Sequence, residues 1–279
     1  MKIVNKIEEI KALNKELKKA GEKISFIPTM GKLHEGHAAL IKEALKYGKA
    51  IVSIYVNPLQ FGKGEDYDTY PRDNDGDIKF LEELKADILF IPLENITAET
   101  ATFVVNPYLS NILCGLFRPG HFQGVLTIIM KLFSAINPSF AFFGLKDYQQ
   151  YIMIKKMAED YYPDIKIVPV PTVRDTGGLA LSSRNLYLNE KDRKHACNFY
   201  KILSNTASLF NSGEISAEKL TLFTTLELIK NGFHIDYVKI MDKELAYEKK
   251  ATENGDILLS AVRLSGVRLI DNIFLVRTE

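Results

Sequence analysis

The spacing of hydrophobic and polar positions over the first 170 residues alternates between strand and helix patterns. Short apolar runs at 24–27 and 50–56 are typical of strands buried on both faces. Between them, apolar residues recur at helical spacing over 38–45. Further strands are predicted at 87–91, 139–144 and 165–170, and further helices at 3–20, 77–84 and 122–136 and in a segment ending near 160. This order predicts a Rossmann-like doubly wound parallel sheet, an α/β fold.

The pattern changes after residue 176. Helices are predicted at 190–210 and 216–230, followed by strands near 235–241, 256–264 and 267–275. We therefore expect a Rossmann-like domain at 1–175 that binds the ligands and a smaller α+β C-terminal lid domain at 176–279. The stretch at 102–117 is irregular, apart from a short predicted strand at 102–105.

Composition narrows the class of protein. A chain of 279 residues suits one large and one smaller domain. A net charge of +1 gives no indication of the positive surface that binds nucleic acid or an anionic membrane. Two cysteines are too few for a disulfide framework. The N-terminal stretch has no signal-peptide core, and no apolar run is long enough to span a bilayer. These features predict a cytoplasmic enzyme that acts on small molecules.

The sequence PTMGKLHEGH at 28–37 joins the first buried strand to a helix through a glycine-containing turn. A helix start has unpaired backbone N–H groups and the positive end of the helix dipole, which favour anions. His34 and His37 lie one turn apart on the same side, so both can donate to one phosphate. They do not have the H-E-x-x-H spacing of a zinc site, although a structural or metal-binding pair stays open. The usual glycine-rich phosphate loops are absent from the sequence.

Other polar groups follow the predicted strands. Asn57 and Gln60 follow the strand at 50–56, and Lys146, Asp147 and Gln150 follow the strand at 139–144. Parallel strands end at one edge of a sheet, so we expect these side chains to share that edge with the histidines. Lys146 and Asp147 form either a surface ion pair of little value or a phosphate-neutralising pair. The glutamines suit hydrogen bonding to a carboxylate or hydroxyl substrate, or are simply exposed.

Three further segments leave alternatives open. Leu181, Ser182, Ser183 and Arg184 suit a mobile phosphate clamp or an ordinary linker, and the glycines at 171–178 suit a flexible connection. Arg118 and His121 are either a second anion site or a packed turn. The aspartates over 66–77 are mostly solvated, with Asp77 as a candidate magnesium ligand.

Eight segments together resemble the pantoate–β-alanine ligase family. They are PTMGKLHEGH (28–37), VSIYVNPLQFG (52–62), EDYDTYPRD (65–73), RPGHFQGV (118–125), FGLKDYQQ (143–150), VPTVRD (170–175), LALSSRNLYL (179–188) and VRLIDN (267–272). They occur in order over nearly the whole chain. The resemblance implies a homodimeric, magnesium-dependent enzyme that couples pantoate to β-alanine. Pantoate first attacks the α-phosphorus of ATP, giving pantoyl adenylate and pyrophosphate; β-alanine then displaces AMP.

The resemblance also implies roles for individual residues. His37, His34, Lys146 and Arg184 are the candidate catalytic residues, with His37 as proton donor. Gln60, Gln150 and Asn57 are expected to bind pantoate and β-alanine. The predicted ATP-binding residues are Met30, Gly31, Lys32, Leu33, His34, Glu35, Gly36, His37, Gly144, Leu145, Lys146, Asp147, Val173, Leu181, Ser182, Ser183 and Arg184.

One position departs from the family pattern. The family commonly has glutamate where this chain has Leu145. Leucine changes little if that position contacts ATP through its backbone, and it weakens ATP binding if the carboxylate steadies Lys146 or a metal. Two other functions compete with the ligase: a cytidylyl- or adenylyltransferase that uses the same H-x-G-H site, and a non-catalytic nucleotide-binding or dimerisation protein.

Overall fold

The computed structural model describes residues 1–277. Within them, six parallel strands form one sheet, in the order β1-β4-β3-β2-β5-β6. The strands are β1 (Lys2–Val4), β2 (Ile24–Thr29), β3 (Lys49–Ile54), β4 (Ile88–Phe90), β5 (Phe140–Gly144) and β6 (Lys166–Val170). The helices between them are α1 (Ile7–Lys19), α2 (Glu35–Ala44), α3 (Asn74–Glu83), α4 (Cys114–Phe117), α5 (His121–Ile136) and α6 (Tyr148–Tyr161). The predicted α/β fold class is confirmed.

The strands form where the apolar runs predicted them because both faces of the sheet are covered. Ile27, Val52 and Leu89, on three neighbouring strands, are fully buried and pack in one cluster with Ile41 of α2. Twelve of the sixteen residues of α5 are buried, which accounts for its nearly continuous apolar sequence. The strands of a parallel sheet that is buried on both faces have continuous apolar sequences of this kind.

Two predictions for this part of the chain are wrong. Residues 2–4 form strand β1 rather than the first turn of the helix at 3–20, because Ile3 pairs in parallel register with Leu89 of β4. Residues 102–105 are not a strand; the N–H of Val104 donates to the side chain of Thr127 at 3.0 Å instead of to a neighbouring strand. Both errors concern partners distant in sequence, which a local pattern does not contain.

The C-terminal part contains α7 (Glu190–Asn211), α8 (Ala217–Lys230) and an antiparallel sheet of three strands, within the described residues. The strands are β7 (His234–Met241), β8 (Asp256–Leu264) and β9 (Val267–Leu275), with β8 in the middle. Phe199, Leu203 and Leu220 of the two helices form one buried cluster with Leu258 and Val262 of β8. These elements lie where the change in hydrophobic pattern predicted them.

The chain divides into two compact units. The first contains Met1–Leu145 and Gln150–Pro171, and the second contains Lys146–Gln149 and Thr172–Glu279. Over residues 1–277, every helix is too short or too polar to cross a membrane.

Candidate functional site

In the first unit, strand β2 ends at a tight turn that requires glycine. The backbone of Gly31 has φ of +83°, and that of Lys32 also has positive φ, +49°. A Cβ on Gly31 would lie 3.0 Å from Oδ2 of Asp77 and 3.1 Å from a methyl carbon of Ile54. The hydroxyl of Thr29 accepts the Gly31 N–H and donates to the carbonyl of Ser53 on β3, at 3.3 and 2.7 Å. Both the left-handed backbone and the close approach favour glycine over any other residue here.

Asp77 braces this turn from α3. Its Oδ2 accepts the N–H of Lys32 at 2.8 Å, and its Oδ1 accepts the N–H of Leu33 at 2.7 Å. Asp77 is only 3% exposed, and this burial raises its pKa, opposed by the two backbone N–H groups. Within residues 1–277, no group of three or more His, Cys, Asp or Glu side chains could hold a metal ion. These two backbone bonds make Asp77 a brace of the loop, and its role as a magnesium ligand stays a prediction.

The two histidines are oriented by the first turn of α2. Nδ1 of His34, the N-cap, accepts the N–H of Gly36 at 3.1 Å. Nδ1 of His37 accepts the N–H of His34 at 3.2 Å. A nitrogen that accepts carries no proton, so each neutral ring holds its proton on Nε2. The ring centroids are 4.2 Å apart. The turn thus holds two neighbouring imidazoles in one tautomer.

This bonding corrects our expectation about the helix start. Backbone N–H groups of Lys32, Leu33, His34 and Gly36 already donate within the protein, to Asp77 and to the two imidazoles. The N–H groups that the sequence offered to an anion are therefore largely used. Each neutral imidazole holds its proton on Nε2, at the positive end of the helix dipole.

Asn57 and Gln60 follow β3, as predicted, in a 3-10 helix at Pro58–Gln60. Nε2 of Gln60 lies 3.1 Å from Sδ of Met30, which follows the neighbouring strand β2. Nδ2 of Asn57 donates to Oε1 of Gln60 at 3.0 Å and to the carbonyl of Gly124 at 3.1 Å. Asn57 is 1% exposed. The structure therefore brings Met30 and Gln60 together, and Asn57 is a buried support for the Gln60 side chain.

Arg118 and His121 also support Gln60. Arg118 forms two hydrogen bonds with Glu65, at 2.7 and 2.6 Å, which match a guanidinium to a carboxylate. Nδ1–H of His121 donates to the carbonyl of Gln60 at 2.8 Å, because a carbonyl can only accept, and Nε2 of His121 then accepts from Arg118 at 2.9 Å. Of the two alternatives for Arg118 and His121, the structure matches the packed turn rather than a second anion site. The Arg118 guanidinium, which an anion would need, is already neutralised by Glu65.

Glu65 was not singled out from the sequence. Burial would raise its pKa, but the hydrogen bonds and charge of Arg118 and the N–H of Gly62 lower it to about 2. The signal that could have identified it is its place in the EDYDTYPRD segment. Its partner lies 53 residues away, so sequence spacing does not reveal the pair.

The other predicted residues of the first unit lie near the end of β5. Gly144 ends that strand, and Leu145 follows it. Because β5 pairs in parallel with β2, Gly144 lies at the same edge of the sheet as Thr29. Gln150 is in the first turn of α6 and is partly exposed.

In the second unit, Lys146 and Asp147 form an ion pair of 3.5 Å with partly exposed side chains. A partly exposed pair of this kind contributes about 0–1 kcal/mol to stability. As a surface ion pair it would therefore matter little to the fold. The carbonyl of Lys146 accepts Nδ2 of Asn272 at 3.1 Å. We did not predict this contact of Asn272 from the sequence. The signal that could have indicated it is the polar pair Asp271 and Asn272, which interrupts an apolar strand in VRLIDN.

The segment from Val173 to Leu181 is a hairpin, whereas we predicted a flexible connection at 171–178. The N–H of Leu181 donates to the carbonyl of Val173 at 3.0 Å, and Arg174 pairs with Ala180 as an antiparallel bridge. Ser182 begins the 3-10 helix Ser183–Tyr187, its hydroxyl accepting the N–H of Arg184 at 3.3 Å. These bonds bring Val173 and Leu181 together through their backbones.

A family model described as pantoate–β-alanine ligase matches residues 2–274. The pantothenate synthetase of Thermodesulfovibrio yellowstonii is 44% identical over 98% of this chain and 99% of its own length. The pantothenate synthetase of Thermosipho africanus is 41% identical over 99% of this chain and 100% of its own. The chain belongs to the pantoate–β-alanine ligase family. This confirms the resemblance that its motifs indicated.

Solved structures of pantoate–β-alanine ligases have the same fold. Pantothenate synthetase from Thermus thermophilus matches with a TM-score of 0.92 at 38% identity, over 99% of this chain and 100% of that one. Pantoate–β-alanine ligase from Francisella tularensis, complexed with beta-gamma ATP and β-alanine, matches with a TM-score of 0.82 at 35% identity, over 99% and 98% of the two chains.

Proposed function

We propose specific roles for the described residues in the reaction of this chain. As a member of its family, the chain is an ATP-dependent ligase that couples pantoate to β-alanine. The pantoate carboxylate attacks the α-phosphorus of ATP, forming pantoyl adenylate and releasing pyrophosphate. The amine of β-alanine then attacks the acyl carbon, a C–N bond forms as the acyl–phosphate C–O bond breaks, and AMP and pantothenate leave. The carboxylate is itself the nucleophile, so no protein nucleophile is needed.

The observation that carries the proposal is the bonding of the two histidines. Both imidazoles accept a backbone N–H on Nδ1, and both hold their proton on Nε2. Negative charge builds up on the α-phosphate oxygens as pantoate attacks, and oriented donors stabilise that charge most when they need no rearrangement. His34 and His37 supply two such N–H groups, with His37 as the proton donor.

Around them, Met30, Gly31, Lys32, Leu33, Glu35 and Gly36 form the rest of the ATP-binding turn. The brace from Asp77 and the left-handed backbone at Gly31 support this role, because they hold the turn in one shape. Gly144 and Leu145 are proposed to contact ATP through their backbones. The usual glutamate would then have no essential task at position 145.

Pantoate is assigned to Gln60 and Gln150, and β-alanine to Gln60. The amide of Gln60 can donate to a carboxylate and accept from a hydroxyl, which suits a hydroxy acid. The bonds from Asn57 to Oε1 and from His121 to the backbone carbonyl of Gln60 support this role, because they restrict the side chain before substrate arrives.

The second unit contributes cations and backbone contacts to ATP. Lys146 and Arg184 are proposed to neutralise phosphate charge, and Asp147, Val173, Leu181, Ser182 and Ser183 to contact the nucleotide. Arginine suits bidentate phosphate binding. From the sequence division, which places Lys146 and Val173 in the first domain, we assign ATP and pantoate binding to domain 1–175 and a lid role to domain 176–279.

Three further properties rest on the family resemblance alone. Magnesium is proposed to accompany ATP on its phosphate oxygens, where it screens the charge that pantoate must approach. The bonding of Asp77 gives no support for a protein-held magnesium ion. A homodimer and a cytoplasmic location complete the proposal.

Exchange of labelled pyrophosphate into ATP tests the first step, and release of AMP tests the second. We expect exchange that requires pantoate, and AMP release that requires both pantoate and β-alanine. Exchange without pantoate, or a product that retains the nucleotide in the presence of β-alanine, would contradict the ligase and favour a nucleotidyltransferase.

A further inference from the structure

The VRLIDN segment lies in strand β9, and two of its polar residues are buried. Asp271 is 3% exposed and Asn272 is 7% exposed, opposite Ser260 and Leu259 of β8. A buried charge or amide destabilises a protein unless it is paired. The partners of these two side chains therefore indicate why the strand has them.

Asp271 holds the hairpin that begins at Val173. Arg174 donates to both carboxylate oxygens of Asp271, at 2.5 and 2.8 Å, and the N–H of Asn272 adds a third bond at 2.8 Å. Arg174 also donates to the carbonyl of Gly178 at 3.2 Å, and its guanidinium lies 3.4 Å from the ring centre of Tyr200. The bidentate bond and the stacked ring fix the start of the hairpin to β9.

Asn272 holds the turn that contains Lys146. Its Nδ2 donates to the Lys146 carbonyl at 3.1 Å, across 126 residues of chain. Two residues further on, the hydroxyl of Tyr148 donates to the carbonyl of Lys243 at 2.7 Å, and its ring meets Phe274 edge to face. The Lys146 carbonyl and the Tyr148 side chain are thus both held by residues of the second unit.

We propose that Asn272 is a positioning residue for Lys146. By holding the backbone carbonyl of the 3-10 turn, its side-chain amide sets where the lysine ammonium reaches, while the neighbouring Asp271 fixes the hairpin that contains Val173. Adjacent residues of one strand therefore position two of the segments assigned to ATP. The inference rests on the proposed function, since it assumes that Lys146 binds phosphate.

Two variants of Asn272 test this inference, one removing the side chain and one keeping its volume without the donor: Asn272→Ala and Asn272→Leu. Pantoate-dependent pyrophosphate exchange is measured against ATP and against pantoate. We expect the KM for ATP to rise about tenfold in both variants and the KM for pantoate to change less than about twofold. A merely structural role would instead lower the melting temperature and reduce activity at all substrate concentrations.

Asn254→Ala is the matched control. Asn254 lies in the same unit, and its side chain also bonds a backbone group, the N–H of Arg277 at 3.0 Å. We expect this variant to keep the wild-type KM for ATP. An equal rise in both asparagine variants would overturn the inference, because any loosening of the unit would then produce it.

Lys146→Ala and the double variant Lys146→Ala/Asn272→Ala separate the two claims. If Asn272 acts through Lys146, its loss has little further effect once the lysine is gone. If the losses of ATP affinity in the two single variants add fully in the double variant, the positioning role of Asn272 is overturned. The same follows if Lys146→Ala is impaired but Asn272→Ala keeps the wild-type ATP dependence. Neither result affects the proposed role of Lys146. An unchanged ATP dependence in Lys146→Ala would contradict the proposed function of the lysine and remove the basis of the inference.

Discussion

Helices α2 and α5 of the first unit begin alike and use their histidines in opposite ways. Each begins near a glycine of positive φ, Gly31 at +83° before α2 and Gly120 at +82° before α5. At α2, His34 and His37 each accept a backbone N–H on Nδ1 and hold the proton on Nε2. At α5, His121 donates from Nδ1 to the Gln60 carbonyl and accepts from Arg118 on Nε2.

The difference shows that hydrogen-bond partners, rather than residue type, decide what a histidine at a helix start does. An imidazole whose Nδ1 accepts a backbone N–H holds its Nε2–H in a fixed direction. An imidazole bonded on both nitrogens to protein groups braces a loop. In this chain the brace at α5 supports Gln60, which we propose binds pantoate.

Replacing His37 should give the largest effect and test the ligand-facing role of the α2 pair. His37→Ala is expected to lower the rate of pantoate-dependent pyrophosphate exchange by about 10²–10⁴-fold, because it removes an oriented donor to the α-phosphate. His37→Asn is the companion variant, since its side-chain oxygen can still accept the N–H of His34. Near-wild-type exchange in either folded variant would remove His37 from the mechanism.

The brace behind the α2 turn should give the next largest effect. In Asp77→Asn only one side-chain oxygen can accept, so one of the Lys32 and Leu33 N–H groups loses its acceptor, at a cost of about 1–3 kcal/mol. We expect a KM for ATP about tenfold higher, measured by exchange at varied ATP concentration. Asp75→Asn removes an exposed carboxylate from the same helix and should leave that KM unchanged. Equal effects in the two variants would argue against the brace.

The brace at α5 should act on pantoate rather than on ATP. Glu65→Gln leaves Arg118 without its ion pair, and we expect it to lower the free energy of unfolding by about 1–2 kcal/mol at pH 7. The KM for pantoate should rise while that for ATP stays constant, since the Gln60 backbone is the group released. Steady-state kinetics with each substrate varied measure this, and a rise confined to ATP would contradict the comparison.

The same variant has a defined pH dependence. The pKa of Glu65 is lowered from 4.5 to about 2 by folding, so the folded state favours the charged carboxylate. Its contribution to stability is present above pH 4.5 and is lost as the pH falls towards 2. Urea unfolding at pH 7 and at lower pH should show the stability of wild type and Glu65→Gln converging. A constant difference would mean that the ion pair does not stabilise this loop.

The Lys32 side chain should give the smallest effect. Its ammonium pairs with Asp73 at 2.9 Å, with side-chain exposures of 35% and 44%. Such pairs contribute about 0–1 kcal/mol, so Lys32→Gln should change the free energy of unfolding by less than about 0.5 kcal/mol. Its backbone N–H still reaches Asp77. A KM for ATP that rises as far as in Asp77→Asn would show that the ammonium, and not the turn it belongs to, is the important group.

Most of the fold could be predicted because its information is local. Apolar runs and helical spacing indicated β2, β3, β5 and β6, and also the helices and strands after residue 190. Strand β1 was missed because three residues acquire strand structure only by pairing with β4, more than 80 positions away. The hairpin from Val173 to Leu181 was missed because its glycines resemble a linker until the backbone bonds are seen.

The sequence by itself determined the alternation of strand and helix, the two parts of the chain and the motifs that identify the family. Only the tertiary structure decided the bonding within the PTMGKLHEGH turn, where backbone amides bond inward and both imidazoles accept an N–H on Nδ1. It also showed Asp77 as a brace, Arg118 as the partner of Glu65, and Asn272 as the support of Lys146. The physical reason is that the partners of Asp77, Glu65 and Asn272 are brought together across 45 to 126 residues, whereas periodicity depends on neighbours along the chain.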